Sequence, residues 1–348
     1  MINLLTYLVV ILGAITLWRL IRVMELVRDL RGDEEPITDR DNLYNGRLAI
    51  IFMVVCFVGM ILFTIDAKKY LLPVAASKHG ALTDSYLNLN FALIIVVFFI
   101  TQFLLFWYTF KYRYREGEKA YFYPDNHKLE FIWTVIPAVV LMGLIVYGLK
   151  LWIGITAPAP SDAMVIEIYG KQFDWTVRYS GEDNKLGKSN FKLITDNNPL
   201  GVDVNDATAK DDKIVTSELH IPVNSKIIFK LHSRDVIHSA YFPHLRAQMN
   251  LVPGMTTEIF VEPTISTDSM RMITGNEKFD YILLCNKICG VAHYNMKMKL
   301  VVESPEEFRK WYKKQGYVFS REEKAATPAD TSSSPAVSAS SSKVVAEL

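Results

Sequence analysis

Phe279-Asp-Tyr-Ile-Leu-Leu-Cys285-Asn-Lys-Ile-Cys289-Gly-Val-Ala-His293-Tyr-Asn-Met296-Lys-Met-Lys-Leu-Val-Val302 is the stretch on which the reading turns. Phe279–Cys285 and Met296–Val302 both read as short strands: Met296-Lys-Met-Lys-Leu300 alternates apolar with polar, and Tyr281-Ile-Leu-Leu-Cys285 is a short continuous apolar run. Between them one loop carries two thiols, an imidazole and a thioether, and Asp235-Val-Ile-His238 upstream supplies a second imidazole. Cys289, His293, Met296 and His238 alone are the ligand set of a single-copper electron-transfer site: one thiolate, two imidazoles and a weak thioether. Cys285 changes the arithmetic. Two thiolates can bridge two copper ions, leave one histidine for each, and let the pair share one unpaired electron. Three other readings stay open. Zinc could use the two Cys and two His but gives Met296 no role. A disulfide needs an oxidising compartment and suitable backbone geometry. A thiol-redox copper chaperone also carries Cys-x-x-x-Cys, near the start of a thioredoxin-like domain.

Working upstream, the same alternation marks Met164–Tyr169, Phe173–Tyr179, Lys226–His232 and Thr256–Val261. Turn residues separate them at Ser180-Gly181, Pro222-Val-Asn224 and Pro253-Gly254. Many short strands with such punctuation predict an all-β sandwich or barrel. Downstream, from about Arg321, the chain turns to Ser, Ala and Lys and is expected to be disordered.

The first part of the chain is different in kind. Four apolar runs, roughly Ile2 to Ile21, Leu48 to Ile65, Phe91 to Tyr108 and Phe131 to Ile155, have the length and composition of membrane helices. The first has no Lys or Arg ahead of it and no small-x-small site behind it, so it reads as a retained helix rather than a signal peptide. Arg19, Arg22, Arg28, Arg31, Arg40 and Arg47 follow the first run, and Lys111, Arg113, Arg115, Lys119 and Lys128 follow the third. Positive-inside bias puts those loops in the cytoplasm and the β-domain outside. A formal net charge of +1 says nothing about partners, and nucleic-acid binding has no support because no basic patch or recognition motif stands out. Cys56, alone in an apolar run, reads as a small buried hydrophobe.

Cys-x-x-x-Cys-Gly-x-x-His-x-x-Met, with Asp-Val-x-His-Ser upstream and Val-Pro-Gly between, resembles subunit II of cytochrome c oxidase. Leu129-Glu130-Phe-Ile-Trp133-Thr-Val-Ile-Pro137 is similar to the start of that family's last membrane helix, and Gly170-Lys-Gln172-Phe-Asp-Trp175 to its aromatic segment. The resemblance covers about residues 91–312. It implies an α-helical membrane anchor plus an all-β cupredoxin-like domain. The divisions expected are two additional N-terminal transmembrane helices over 1–66, a transmembrane hairpin over 91–155, a periplasmic copper domain over 163–303 and a disordered tail over 321–348. It also implies that Cys285 and Cys289 bridge two copper ions (a dinuclear copper A centre), that His238 and His293 each bind one, and that Met296 and the Lys287 carbonyl are further ligands. Phe173 and Trp175 would lie where electrons come in, and Glu130 at the mouth of a proton pathway in the partner subunit.

Three positions depart from the family. Lys287 stands where a Glu usually helps bind magnesium, and Asn250 where an Asp is common, which makes that site doubtful. Phe173 replaces a Trp at the electron-accepting surface, and Trp175 on its own reads as a core aromatic. Glu182, Asp183, Asp196, Asp203, Asp206, Asp211 and Asp212 could steer a basic donor. Lys185, Lys188, Lys192 and Lys210 interleave with them, so a solvated surface is the expectation. The function implied is passage of electrons from cytochrome c or a similar carrier to the haem of subunit I, for reduction of oxygen to water, in a bacterial inner membrane with the lipid bilayer around the anchor. A copper-free quinol-oxidase-type subunit and a membrane-bound copper chaperone are the alternatives. Cys285, Cys289 and His293 argue against the first.

Overall fold

The computed structural model describes residues 2–31 and 38–319; the tail expected from Arg321 lies outside them. Internal contacts divide the chain into two units, Met1–Leu71 with Phe91–Val135, and Leu72–Asn90 with Ile136–Leu348. Four long helices run through the anchor: α1 (Ile2–Arg31), α2 (Asp39–Ala67), α3 (Lys78–Lys111) and α4 (His127–Thr156). Among the described residues three helical stretches are long and apolar enough to cross a membrane, Asp39–Tyr70, Lys78–Lys111 and His127–Thr156. The first apolar run lies within α1.

Within the first unit, α2 opens on a capping box. Thr38 Oγ1 accepts the Asp41 N–H and the Asp41 carboxylate accepts the Thr38 N–H, satisfying donors that a helix start leaves open. Phe57 meets Phe99 edge-on with ring centroids 4.6 Å apart, packing α2 on α3. Gly46 lets the same pair approach, since a Cβ there would stand 3.0 Å from the Phe110 ring. Cys56 is not the buried hydrophobe expected; it is exposed on α2. A helix bathed in lipid has no single apolar face to turn inward.

In the second unit α3 begins well before its apolar run, because its first turns are tied to the β-domain. Arg246 donates through Nε and Nη2 to the two oxygens of Asp84, both at 2.8 Å. Tyr86 donates to the Leu144 carbonyl of α4 at 3.0 Å.

The β-domain has ten strands among the described residues: β1 (Met164–Lys171), β2 (Asp174–Tyr179), β3 (Lys213–Val215), β4 (Glu218–Pro222), β5 (Ile227–Ser233), β6 (His238–Phe242), β7 (Ala247–Leu251), β8 (Thr257–Val261), β9 (Tyr281–Cys285) and β10 (Lys297–Glu303). They form two five-stranded sheets, ordered β3-β2-β1-β5-β8 and β4-β10-β9-β6-β7. β1 with β5 and β4 with β10 pair in parallel; the remaining pairs are antiparallel. The all-β, cupredoxin-like sandwich and the helical anchor are both present. Four strands go beyond the sequence expectation, namely β3, β4, β6 and β7, as do two helices, α5 (Thr267–Thr274) and α6 (Pro305–Lys313).

Alternation fixes what the sheets bury. Ile227, Phe229 and Leu231 of β5 point inward, as do Tyr281 and Leu283 of β9 and Met298, Leu300 and Val302 of β10. Phe229 and Phe242 stack across the core with centroids 5.1 Å apart. Tyr179 ties the sheets together: its hydroxyl donates to the His220 carbonyl and accepts the His220 N–H, each at 2.9 Å. α6 closes over this end with Phe308 and Trp311 against Tyr179.

Candidate metal centre

The alternation that builds the core also sets the site. In β9 the inward series Tyr281, Leu283 continues to Cys285, and the β10 series Val302, Leu300, Met298 continues back to Met296. The Cys285 N–H donates to the Met296 carbonyl at 3.1 Å, so the strands stay paired as the loop opens between them. His238 begins β6, whose Ala240 lies opposite Cys285 in register. The Asn286 N–H holds that strand through the Ser239 carbonyl at 3.0 Å. The ligand atoms of His238, Cys285 and Cys289 all lie within 4.8 Å of one another, and all three residues are buried.

The two sulphurs are 3.8 Å apart, well beyond the about 2.05 Å of a disulfide bond. Each has its own imidazole. His238 Nδ1 is 3.9 Å from Cys285 Sγ, and His293 Nδ1 is 3.6 Å from Cys289 Sγ. Met296 Sδ stands 3.8 Å from Cys289 Sγ, and the Lys287 carbonyl oxygen 3.2 Å from Cys285 Sγ. Soft sulphur and imidazole donors in this ratio fit copper. Burial, with Cys285 beside it, pushes the Cys289 thiol up to about 11. A metal binding here must therefore displace a proton at neutral pH.

Two residues that sequence reasoning left without a role hold this arrangement. Asp235 Oδ1 lies 2.8 Å from His238 Nε2 and accepts the Val236 N–H, while Oδ2 accepts the Gln172 N–H at 2.7 Å. Burial alone would raise the Asp235 pKa; the Gln172 N–H, the His238 ring and the Val236 N–H outweigh it and hold it below the ordinary carboxylate value. An ionised Asp235 requires the proton on His238 Nε2, which leaves the Nδ1 lone pair facing Cys285. Gln172 then reaches across with its side-chain amide, donating to the Cys289 carbonyl at 2.5 Å. Gly290 makes the approach possible. Its φ is +140°, and a Cβ there would meet Gln172 Nε2 and the Phe173 ring at 2.8 Å. The Asp-x-x-His spacing carries a signal for the first contact. Nothing local carries one for the second.

The other expected positions are less tightly gathered. Phe173 is half-buried beside Gly290. Trp175 is fully buried, its ring centroid 6.2 Å from that of His238. Its indole Nε1 has no hydrogen-bond partner. The Lys287 side chain and Asn250 are exposed, and Asn250 Oδ1 accepts from Gln248 at 3.1 Å. Glu130 lies in the first turn of α4, 3.3 Å from His127 Nδ1. The acidic stretch is not a uniform solvated surface, because Asp212 is fully buried against Arg178. Its neighbours brace the loop: Asp211 accepts the Glu182 N–H and Asp206 the Lys188 N–H.

Against known families, residues 66–151 match the cytochrome c oxidase subunit II transmembrane domain and residues 164–304 its periplasmic domain. α1 and most of α2 precede the first match. The alternative cytochrome c oxidase subunit 2 of Bradyrhizobium diazoefficiens is 31% identical over 269 residues, covering 77% of this chain and 91% of that protein. Cytochrome c oxidase subunit 2 of Thermostichus vulcanus is 26% identical over 278 residues, 73% of this chain and 81% of the relative. Among solved structures, the periplasmic domain of subunit II of a cytochrome oxidase from Bradyrhizobium japonicum aligns with a TM-score of 0.30 at 20% identity, over 45% of this chain and 95% of that one. Family and His–Cys–Cys group together point to copper. The chain belongs to the cytochrome c oxidase subunit II family: a membrane protein with a periplasmic domain, and the electron-accepting subunit of a haem–copper oxidase.

Proposed function

We propose that this subunit takes electrons from cytochrome c or a similar carrier and delivers them to the haem of oxidase subunit I, in a bacterial inner membrane. Cys285 and Cys289 would bridge a dinuclear copper centre, with His238 and His293 binding one ion each and Met296 and the Lys287 carbonyl completing the set. When bound, such a pair supplies a one-electron store whose unpaired electron is shared by two ions. The observation that carries this reading is the pairing of each imidazole with a different sulphur, across two sulphurs 3.8 Å apart. A single zinc would draw all four donors to one point.

The chain's own residues do the remaining work. Strand pairing on both sides of the loop keeps the sulphurs out of water. Asp235 fixes the tautomer of His238, and Gln172 holds the Cys289 backbone. Phe173, half-buried beside Gly290, lies on the proposed electron route, with Trp175 behind it. Glu130 stands at the proposed mouth of a proton pathway in subunit I. No magnesium role is proposed, since a charged Lys287 side chain offers no lone pair.

Metal analysis and electron paramagnetic resonance of the purified oxidase test this directly. Two coppers in the subunit with one delocalised electron are expected, and Cys285→Ser should abolish that signal. A mixed-valence spectrum surviving in Cys285→Ser would overturn the bridging assignment.

A further inference from the structure

A cavity of about 410 Å³ opens where the first turns of α3 and the last turns of α4 meet strand β8. Leu82, Tyr147, Leu151, Ile155 and Phe260 line it with apolar surface, while Lys78, Lys150 and Glu262 supply charge. Lys78 is committed: its ammonium lies 3.3 Å from the Glu262 carboxylate, and its backbone N–H donates to the Glu262 carbonyl at 3.0 Å. Lys150 is exposed and has no ion pair among the described residues.

Its place along α4 matters. The helix ends at Thr156, so at 1.5 Å per residue Lys150 stands about 9 Å below that end. That depth puts an unpaired ammonium near the headgroup region of the bilayer, with apolar helix surface beneath it. Gly154, one turn further on, has nothing within 4 Å of its Cβ position, and its missing side chain keeps the groove open.

We infer that this cavity seats one anionic phospholipid, its phosphodiester on Lys150 and an acyl chain against Leu82 and Leu151. Lys150 supplies the charge that a phosphate complements, and the walls supply what an acyl chain complements. Inorganic phosphate would meet only the lysine. The site is independent of the copper assignment, because no residue of the metal loop lines it.

Native mass spectrometry of the intact oxidase, extracted from its membranes in mild detergent, tests the proposal. The wild-type complex should retain one more phospholipid than Gly154→Trp, whose side chain fills open space. Titrated phosphatidylglycerol should bind Lys150→Gln about fivefold more weakly, the worth of one lysine at an anionic lipid surface. Excess inorganic phosphate should displace nothing. An unchanged copper spectrum reports that each variant is folded. Equal lipid retention in wild type and both variants would overturn the inference. So would a photo-crosslinker at Leu82 that captures a polypeptide of the complex instead of lipid, or loss of the lipid to phosphate alone.

Discussion

At one end of the β1–β2 hairpin, Gln172 braces a ring of sulphur and imidazole; towards the other end, Arg178 lies inside the protein between two carboxylates. Both clusters are polar and buried, but their electrostatics are opposite. Burial raises the Cys289 thiol and so favours its neutral form, and the metal loop is built to receive positive charge. The second cluster already holds its charges. Arg178 donates through Nε to Glu167 at 2.7 Å and through Nη1 to Asp212 at 3.0 Å and to the Gly187 carbonyl at 2.9 Å. His232, whose pKa burial lowers, adds an imidazole 3.2 Å from Glu167. One guanidinium thus serves two carboxylates and pins the loop between β2 and β3. A site awaiting a cation needs positioned neutral donors, whereas a buried ionic cluster needs every partner it has.

Breaking the ionic cluster is therefore expected to produce the largest effect. Arg178→Ala leaves Glu167 and Asp212 buried without their cation, and loss of one partner from a buried ion pair costs about 3–5 kcal/mol. Unfolding of the oxidase by heat or denaturant reads the loss. The copper signal of the fraction that folds should be unchanged, since the metal loop shares no contact with Arg178. Parallel loss of stability and copper would show that the two clusters are coupled rather than independent.

A smaller effect follows from the extra negative charge. Burial, with Asp211 and Glu167 nearby, pushes Asp212 up to about 6 despite the Gly187 N–H and Arg178. Its Oδ1 is buried with no hydrogen-bond partner. Between about pH 4 and pH 6 the native protein then keeps a proton that the unfolded chain, with an ordinary carboxyl near 3.9, releases. Asp212 thus favours folding most at the acid side of that window, and its contribution declines as pH rises to 6, by on the order of 2–3 kcal/mol. In Asp212→Asn that decline should vanish. Unfolding temperatures of wild type and variant across pH 4–7 give the comparison, and parallel curves would mean that Asp212 is ionised throughout.

How far each cluster can be read from sequence follows the same divide. Cys285 ends the apolar run Tyr281-Ile-Leu-Leu-Cys285, so its place in a strand can be read from sequence, whereas the inward parity it shares with Tyr281 and Leu283 comes from the pairing of β9 with its neighbours; soft ligands name a soft metal. β3 is too short to show alternation. β7 carries polar Gln248 and Asn250, and its strand character comes from pairing with β6. α6 has its signal in Ser304-Pro-Glu-Glu307, a capping box in which the Ser304 hydroxyl accepts the Glu307 N–H and the Glu307 carboxylate accepts the Ser304 N–H. Asp212 lies in a run of acids and lysines that reads as solvated. Only its closeness to Arg178, far along the chain, makes it a buried partner.

Gln172 is the counterpart of Arg178 at the metal loop. Its side-chain amide crosses between segments far apart in sequence to donate to the Cys289 carbonyl, and its backbone N–H holds Asp235, which holds His238. Gln172→Ala removes the first link and keeps the second. A single hydrogen bond contributes about 1 kcal/mol to folding, so the variant should fold nearly as stably as wild type, unlike Arg178→Ala. Copper affinity should fall further than stability does, by about 10–100-fold, the usual consequence of losing a group that orients a ligand. Competition with a copper chelator on the intact oxidase measures the affinity, and its unfolding temperature measures stability. Gln172→Glu is the control, because a carboxylate cannot donate to the Cys289 carbonyl and should weaken copper binding as alanine does. Wild-type affinity in both variants would mean that strand pairing alone positions the loop, leaving the amide without a role at the site.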